Sequence, residues 1–203
     1  MSQRDFLRAD SLREALIDPF IGREIVVVEA TTSTNDLAWQ MAQEGKAAGF
    51  VVFAERQTAG RGRRGNDWES TPHLGLWFSI LLRPMLAPAD SARLTTWASQ
   101  TIARTIDREI GSPAWIKVPN DIYTAERKVA GVLVEMRVEK NGQHAAIVGI
   151  GVNVNQTASD FSEPLRAKAG SLAIAAGAPI DRQALAVAIL RDLDCSYRAL
   201  FIA

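Results

Sequence analysis

The feature that most constrains this chain is a strongly apolar run from Gly75 to Leu82, with the sequence GLWFSILL. The run is far shorter than the roughly 20 residues that a membrane-spanning helix needs. It is also too apolar throughout for a strand with a solvated face, so we predict a strand that the rest of the chain encloses. With 203 residues and 47% hydrophobic content, the chain is long enough to build one sizeable core around it.

Several further segments have the composition or the period of β-strands. The β-branched run Ile25-Val26-Val27-Val28 predicts a buried strand, because such residues pack well on a pleated surface. Val129 to Val138 has the period of two of a strand with one wetter face, and Asn141-Gly142 predicts a hairpin turn after it. The predicted strands are Glu24–Glu29, Phe50–Ala54, Gly75–Leu82, Trp115–Val118, Val129–Val138 and Ala145–Val152.

Helical periodicity separates these strands. It is clearest from Asp90 to Ile110, where apolar residues recur at every fourth position. Ser33 is a preferred residue type for a helix N-cap and precedes a predicted helix that runs to about Glu44. We therefore predict an α/β fold with a mixed sheet flanked by helices, as a single domain over residues 1–203 in which 1–23 form a short N-terminal extension. The other predicted helices are residues 4–17, Ser171–Ala176 and Asp181–Leu200.

Charge and cysteine content exclude several classes of protein. The chain has 23 basic and 23 acidic residues, which argues against a general nucleic-acid binder because such proteins carry a broad basic excess. A single cysteine, Cys195, excludes an internal disulfide and fits a reducing compartment. His73 and His144 are far apart and have no neighbours at metal-ligand spacing, so we predict structural roles for both. The N-terminus lacks the apolar core of a signal peptide, and we expect a cytoplasmic protein with no membrane association.

The segment from Gln57 to Trp68 interleaves three glycines with Arg61, Arg63 and Arg64 and has no apolar period. It therefore predicts a loop. Glycine lets the backbone approach a ligand closely, and arginine offers a planar fork of donors that suits carboxylate and phosphate. The local positive charge in a neutral chain indicates an anion-binding loop.

Three more polar clusters lie at the ends of predicted strands or the starts of helices, where ligands commonly meet sheets. Each has an ordinary explanation when taken alone. Ser33 could only cap its helix, Lys128 could be a strand-edge lysine, Pro119-Asn120-Asp121 could be a plain turn, and the arginine loop could be an RNA-binding patch. Together they supply what nucleotidyl transfer requires, which is cations that neutralise a triphosphate and a carboxylate, and an acidic residue for the accompanying Mg²⁺. The three clusters are Ser33-Thr34-Asn35, Lys117 to Asp121 with Lys128, and Gly149 to Asn155.

These clusters, in this order, closely resemble the biotin protein ligase family. The resemblance covers about residues 24 to 200, and five motifs in order are specific where one would be weak. The motifs are Ser33-Thr34-Asn35, the Gln57 to Trp68 loop, Pro119-Asn120-Asp121, Lys128 to Glu135 (KVAGVLVE) and Gly149 to Asn153 (GIGVN).

The resemblance implies a catalytic domain related to class II aminoacyl-tRNA synthetases and lipoate ligases. It implies activation of biotin with MgATP to biotinyl-5′-AMP, then transfer of biotin to a lysine of the biotin carboxyl carrier domain of acetyl-CoA carboxylase or a related carboxylase. By resemblance, the catalytic residues are Lys128, Arg61 and Arg63. The biotin-binding residues are Ser33, Thr34, Asn35, Gln57, Gly60, Arg61, Gly62, Arg63, Lys128, Gly131 and Gly151. The ATP-binding residues are Arg63, Arg64, Trp68, Lys117, Asn120, Asp121 and Asn153, with Asp121 also a Mg²⁺ ligand.

The resemblance also implies that Arg61 and Arg63 face the carboxylate and phosphate, that Trp68 stacks near the adenine, and that the arginine loop folds over the ligands. We expect that loop to be poorly ordered without ligand, since ordering it costs entropy that ligand contacts offset.

The chain departs from the family pattern at several positions. Val118 stands where the family usually has Trp, and Asn66 where many members have Arg. From the chain's length we expect neither the small SH3-like C-terminal domain nor a DNA-binding winged helix, and hence no DNA binding, with the protein a monomer or homodimer.

Other interpretations of the sequence stay open. One is a lipoate or octanoyl ligase or transferase of the same fold, which the arginine loop and the Lys128 motif disfavour. Another is a protein that binds biotin or its adenylate without catalysis. An RNA-binding module is disfavoured by the neutral charge.

Overall fold

The computed structural model describes residues 6–202 and is built on one mixed sheet of seven strands in the order β1-β2-β3-β7-β6-β5-β4. β1 and β2 are parallel, and every other neighbouring pair is antiparallel. The strands are β1 (Glu24–Thr31), β2 (Phe50–Gln57), β3 (Gly75–Leu82), β4 (Ala114–Lys117), β5 (Asp121–Thr124), β6 (Arg127–Val138) and β7 (His144–Asn153). The helices are α1 (Ala9–Glu14), α2 (Thr34–Gln43), α3 (Ala92–Ile110), α4 (Glu163–Arg166), α5 (Leu172–Ala176) and α6 (Arg182–Tyr197).

Helix α2 forms the crossover between the two parallel strands, as parallel pairing requires. One face of this helix is an apolar stripe, in which Ala38 and Ala42 are buried and Leu37 and Met41 pack beside them. The stripe covers part of one face of the sheet. It packs against Phe50, Val52, Leu81, Ala145 and Ile147.

The opposite face of the sheet carries the larger core, which α3 and α6 cover. All eight residues of β3 are buried, which confirms that this strand has no solvated face. Its even-numbered residues, such as Phe78 and Ile80, enter the larger core, while Leu81 lies under α2.

Two strand predictions need correction. The run Ile25–Val28 was expected to be buried, but β1 lies at the edge of the sheet, pairs only with β2, and is half-buried. Asp121 was assigned to a turn, but it begins the short strand β5.

The helix predicted over residues 4–17 is shorter in the structure, where it is α1, and residues 4 and 5 lie outside the described part of the chain. Within residues 6–202, no helix combines the length and hydropathy needed to cross a membrane.

Tyr197, at the end of α6, gives a testable consequence of core packing. Its ring stacks on Phe20 at 5.5 Å and lies 5.2 Å from the ring of Trp97. Burial raises the pKa of Tyr197 to about 12, from an ordinary value of 10.0. The folded state therefore holds the phenol neutral at a pH where the unfolded chain ionises it.

Burial of the neutral phenol contributes its full stability below pH ~10, where the unfolded chain also keeps the phenol protonated. As pH rises from ~10 toward ~12, the free energy of unfolding falls by at most about 2–3 kcal/mol, because only the unfolded chain ionises there. Urea unfolding of wild type and Tyr197→Phe across this range measures it. The wild type should lose more free energy of unfolding than the variant. Parallel losses in the two proteins would contradict the assignment.

Candidate functional site

A cavity of about 260 Å³ opens on the α2 side of the sheet, where the helix no longer covers β6 and β7. The arginine loop forms one wall, and the turn between β4 and β5 with Lys128 forms the opposite wall. The structure brings most of the predicted site residues together here. They are Ser33, Thr34, Asn35, Gln57, Arg61, Gly62, Arg63, Arg64, Trp68, Asn120, Asp121, Lys128, Gly131 and Gly151.

A hydrogen-bonded set of polar side chains forms the floor of the cavity. The Gln57 side-chain oxygen accepts from the Thr34 backbone N–H at 2.8 Å and from its hydroxyl at 3.1 Å. Ser79 Oγ donates to Asn35 Oδ1 at 2.6 Å and lies 2.8 Å from Thr34 Oγ1. Gln57 Nε2 donates to Ser70 Oγ at 3.2 Å. The floor is thus a preorganised polar surface inside an otherwise apolar sheet.

Of the two serines near the floor, the sequence led us to predict Ser33 as a site residue but not Ser79. Ser33 occupies the N-cap position of α2, but its side chain makes no capping hydrogen bond, so capping alone does not explain this residue. Ser79 was not predicted to belong to the site, although it is the one polar residue in the apolar run Gly75–Leu82, and it is fully buried. An isolated hydroxyl in an otherwise apolar strand was the sequence feature that could have indicated its place in the polar floor.

Glycines on β6 and β7 leave room for side chains of the protein to pack against the sheet. A Cβ at Gly149 would lie 2.2 Å from Asn35 Oδ1, and a Cβ at Gly151 would lie 2.5 Å from Trp68 Cε2. The Trp68 ring also covers Gly131, where a Cβ would lie 3.0 Å from Cζ3. These glycines therefore set how deeply Asn35 and Trp68 sit in the site.

Gly151→Ala is expected to displace the Trp68 ring and to lower the free energy of unfolding by ~1–3 kcal/mol, as overpacking does. The control is the same substitution in a Trp68→Leu background, where the clashing ring is absent. Urea unfolding of the four proteins measures the coupling. An equal cost of Gly151→Ala in both backgrounds would count against this packing.

The arginine loop crosses the cavity as a segment that we call the strap, residues Arg61–Asp67. Arg61 and Asp67 form an isolated bridge, and the Gly62 N–H donates to the Asn66 carbonyl at 2.7 Å. Asn66 Nδ2 donates to the Arg63 carbonyl at 2.9 Å. Asn66 therefore stabilises the turn of the strap, at the position where many relatives were expected to carry Arg.

The two predicted anion-binding arginines point to opposite sides of the cavity, and both contact protein groups. Arg61 donates to both carboxylate oxygens of Asp36, at 2.6 and 2.8 Å, and this pair holds the pKa of Asp36 below its ordinary value and raises the pKa of Arg61. Arg63 donates to Asn120 Oδ1 at 3.1 Å. Arg64 lines the cavity in a left-handed conformation, with φ of 60°. In this structure the strap is attached at both sides of the cavity.

Lys128 lies at the wall formed by the β4–β5 turn, to which Arg63 of the strap is also attached. Its Nζ lies 2.8 Å from Asp121 Oδ1 and 5.2 Å from the centre of the Trp68 ring. The flat indole on one side and the carboxylate on the other fix the ammonium at the cavity wall. An anion in the cavity would thus lie between Lys128 and the arginine-rich strap.

A sequence model of the biotin/lipoate A/B protein ligase family matches residues 27–153, which include every cavity residue described above. The match spans more than half of the chain. The chain belongs to this family.

Relatives with assigned names agree with this membership. The bifunctional ligase/repressor BirA of Bacillus subtilis is 35% identical over 192 residues, covering 95% of this chain and 59% of that protein. The biotin–acetyl-CoA-carboxylase ligase of Mycobacterium tuberculosis is 32% identical over 204 residues, covering 96% of this chain and 73% of that protein. The chain therefore spans less than two thirds of the Bacillus relative.

Solved structures confirm the predicted fold class. The biotin protein ligase of Aquifex aeolicus, in complex with biotin and ATP, superposes with a TM-score of 0.76 at 29% identity, covering 88% of this chain and 72% of that one. The biotin acetyl coenzyme A carboxylase synthetase of Helicobacter pylori, with bound biotinylated ATP, gives a TM-score of 0.60 at 29% identity and covers 85% of this chain and 74% of that one.

Three site residues predicted from the ligase family lie outside the main cavity. Asn153 borders a side cavity of about 90 Å³ behind Trp68 and Lys128, and its amide donates to the Gly170 carbonyl at 3.0 Å. Gly60 is buried under the strap, where its carbonyl accepts from the Trp68 N–H at 2.9 Å. Lys117 is exposed, with its ammonium 5.8 Å from the Tyr123 ring centre. The side cavity is thus bounded by residues predicted to contact the nucleotide.

The predicted magnesium position offers one carboxylate, that of Asp121, which already pairs with Lys128. No cluster of three metal-ligating side chains occurs within residues 6–202. Mg²⁺ that arrives on ATP phosphates keeps several waters and needs only one or two protein carboxylates, so Asp121 fits such a role.

His73 has partners that the sequence did not indicate. Its Nε2 lies 3.3 Å from Glu29 and its Nδ1 lies 3.3 Å from Glu55, although the latter contact lacks hydrogen-bond geometry. Its ring also meets Phe6 edge-on at 4.7 Å. It lies outside both cavities, in agreement with a structural role.

Proposed function

We propose that this chain is a biotin protein ligase that activates biotin with MgATP and transfers it to a lysine of a biotin carboxyl carrier domain. Membership of the family supports this, as do relatives and structures whose names include biotin, ATP and acetyl-CoA carboxylase. The observation that carries the proposal is the cavity itself. It has a polar floor, cations on two opposite walls, and a side cavity beyond Trp68.

In the first step a carboxylate oxygen of biotin attacks the α-phosphorus of ATP, and pyrophosphate leaves. Two anions must approach each other, so the protein must supply positive charge at that point. Lys128 and Arg63 at the β4–β5 turn, and Arg61 at the start of α2, supply it. The floor residues Thr34, Asn35 and Gln57 hold the ring of biotin by hydrogen bonds, which places its carboxylate between these cations.

In the second step the amine of a carrier lysine attacks the acyl carbon of biotinyl-5′-AMP, and AMP leaves while the amine gives up a proton. The positive charge that stabilised the α-phosphate in the first step now stabilises AMP as the leaving group. The partner is a biotin carboxyl carrier domain of acetyl-CoA carboxylase or a related carboxylase. We propose that the reaction takes place in the cytoplasm and involves no DNA.

The test is exchange of labelled pyrophosphate into ATP by the purified chain, with biotin, lipoate or octanoate as the acid, followed by transfer to a carrier domain. Biotin is expected to support exchange, and the two aliphatic acids are not. Exchange with lipoate or octanoate alone would assign the chain to the other branch of the family. Biotin binding without exchange would leave a non-catalytic binding protein.

A further inference from the structure

Consecutive residues at the start of α2 serve two different parts of the site. Thr34 and Asn35 are buried in the floor of the cavity, whereas Asp36 faces outward toward the strap. Any shift of this first helical turn therefore moves the floor and the Asp36 carboxylate together.

Asp36 belongs to a cluster of four charged side chains that cancel one another. Besides the two bonds from Arg61, its Oδ1 lies 3.3 Å from Arg137 Nη2. Arg61 and Arg137 each also lie 3.5 Å from a carboxylate oxygen of Glu135 on β6. The carboxylates of Asp36 and Glu135 thus both contact Arg61, which points to the α2 side of the cavity.

Glu135 connects this cluster to the floor. Its Oε2 accepts from Asn35 Nδ2 at 2.7 Å and is the same oxygen that lies 3.5 Å from Arg61. Asn35 in turn accepts from Ser79 at 2.6 Å. A continuous chain of polar contacts therefore runs from the buried floor to the strap.

The two attachments of the strap differ in kind. Arg63 is held at Asn120 by a single bond to a neutral amide, while Arg61 is held by a bidentate ion pair, the stronger type. The side chains of Arg61 and Asp36 are 38% and 42% exposed, so water and salt weaken the pair enough for it to open.

We propose that Asp36 is a positioning residue that fastens the strap through Arg61, so that the acyl-adenylate stays in the cavity until the acceptor lysine arrives. This inference rests on the proposed function, because it requires an adenylate to retain. Asp36 acts through Arg61 and does not touch the reacting atoms. An amide at position 36 keeps the size of the side chain but loses the charge and one of the two acceptors.

The experiment preloads the enzyme with biotin and MgATP without a carrier and follows the escape of biotinyl-5′-AMP and its hydrolysis products by chromatography. Asp36→Asn and Arg61→Gln are each expected to release the adenylate about tenfold faster, a factor that corresponds to about 1.4 kcal/mol. The double variant should be no faster than Arg61→Gln alone, because Asp36 acts only through Arg61. Asp36→Glu should restore slow release in part.

Three comparisons separate this role from effects of general charge and helix stability, since a carboxylate in the first turn of α2 also favours the helix dipole. Glu44→Gln removes a carboxylate from the other end of α2, far from the strap, and controls for a general loss of negative charge; it should leave release unchanged. Asp36→Glu keeps the carboxylate in the first turn and therefore controls for the helix dipole. Raising NaCl from about 0.05 M to about 0.5 M should speed release from the wild type by a larger factor than from Asp36→Asn, because only the wild type has the exposed Asp36–Arg61 pair for salt to screen.

The outcomes are distinguishable. Wild type that forms no adenylate refutes the proposed function. Wild type that forms adenylate but releases it no more slowly than Asp36→Asn and Arg61→Gln refutes the positioning role alone, as does additivity in the double variant. If Asp36→Asn fails to fold, Asp36→Gln takes its place in these comparisons.

Discussion

Lys128→Ala is expected to slow biotin-dependent pyrophosphate exchange by about 10²- to 10³-fold, the usual cost of removing one preorganised charge-stabilising group. The ammonium is held at the cavity wall by the Asp121 carboxylate at 2.8 Å and by the Trp68 ring at 5.2 Å. When two anionic substrates enter the cavity, this is the fixed cation on the wall that faces the strap. Its loss leaves the approach of carboxylate to α-phosphate unscreened on that side.

Two other lysines provide control substitutions for this prediction. Lys117 is on β4 directly opposite Asp121, yet its ammonium lies over Tyr123 and outside the cavity. Lys117→Ala should therefore cost at most about tenfold, which corresponds to about 1.4 kcal/mol. Lys140→Ala, in the exposed turn before β7, controls for a general loss of positive charge. Equal losses in the Lys128 and Lys117 variants would remove the special role of Lys128.

Lys128→Arg tests whether position or charge alone matters. Arginine keeps the charge but spreads it over a planar fork that cannot replace a compact ammonium between a carboxylate and an indole ring. We expect it to recover a minority of the exchange rate. Full recovery would mean that any cation at the wall suffices.

The parts of this molecule that sequence predicted well are those that local pattern determines. The apolar run of β3 and the four-residue period of α3 each follow from how one segment meets a core, and both were confirmed. The strand β6 forms as predicted, but its burial does not alternate, because four consecutive residues from Val129 to Val132 are buried and Val138 is exposed. The motifs at strand ends were also predicted to converge, and the cavity lining confirms that most of them do.

What sequence could not predict depends on pairings between distant segments. The edge position of β1 follows from the strand order, which the β-branched composition of the strand does not contain. The partners of Arg61, namely Asp36 and Glu135, are 25 and 74 residues away, and nothing in their local surroundings marks them as acceptors. A charged group's role is set by what the fold places opposite it, so the strap arginines were predicted to be functional without their contacts being known.

Arg182→Met is expected to lower the free energy of unfolding by about 3–5 kcal/mol, because it leaves a buried carboxylate without its cation. Arg182 is fully buried at the start of α6 and donates to Glu55 Oε2 at 2.5 Å. The other oxygen of Glu55 accepts from the Leu7 N–H at 2.7 Å. Neither carboxylate oxygen is accessible to bulk water, since the Glu55 side chain is 2% exposed.

The measurement is urea unfolding of four variants beside wild type: Arg182→Met, Glu55→Leu, their double variant and the control Arg108→Met. Glu55→Leu should be as costly as Arg182→Met, while the double variant should cost clearly less than their sum, since an apolar pair leaves no buried charge unpaired. Arg108→Met removes an exposed arginine that pairs with Asp192 at 2.8 Å and should cost less than about 1 kcal/mol. A loss for Arg182→Met as small as that for Arg108→Met would contradict the assignment.

Because of the position of Arg182, the Arg182→Met substitution should also affect the segment that carries the strap. The chain leaves the sheet at Gln57, the end of β2, and returns at Gly75, and the strap lies within this excursion. Arg182 holds both ends, because Glu55 is two residues before the exit and the Gly75 carbonyl accepts from Arg182 Nε at 3.0 Å. Arg182→Met should therefore speed amide hydrogen exchange across residues 57–75 more than in α3, which a uniform loss of stability would not do. Exchange that rises equally in both segments would mean that the buried pair stabilises the fold as a whole and does not fix the base of the strap.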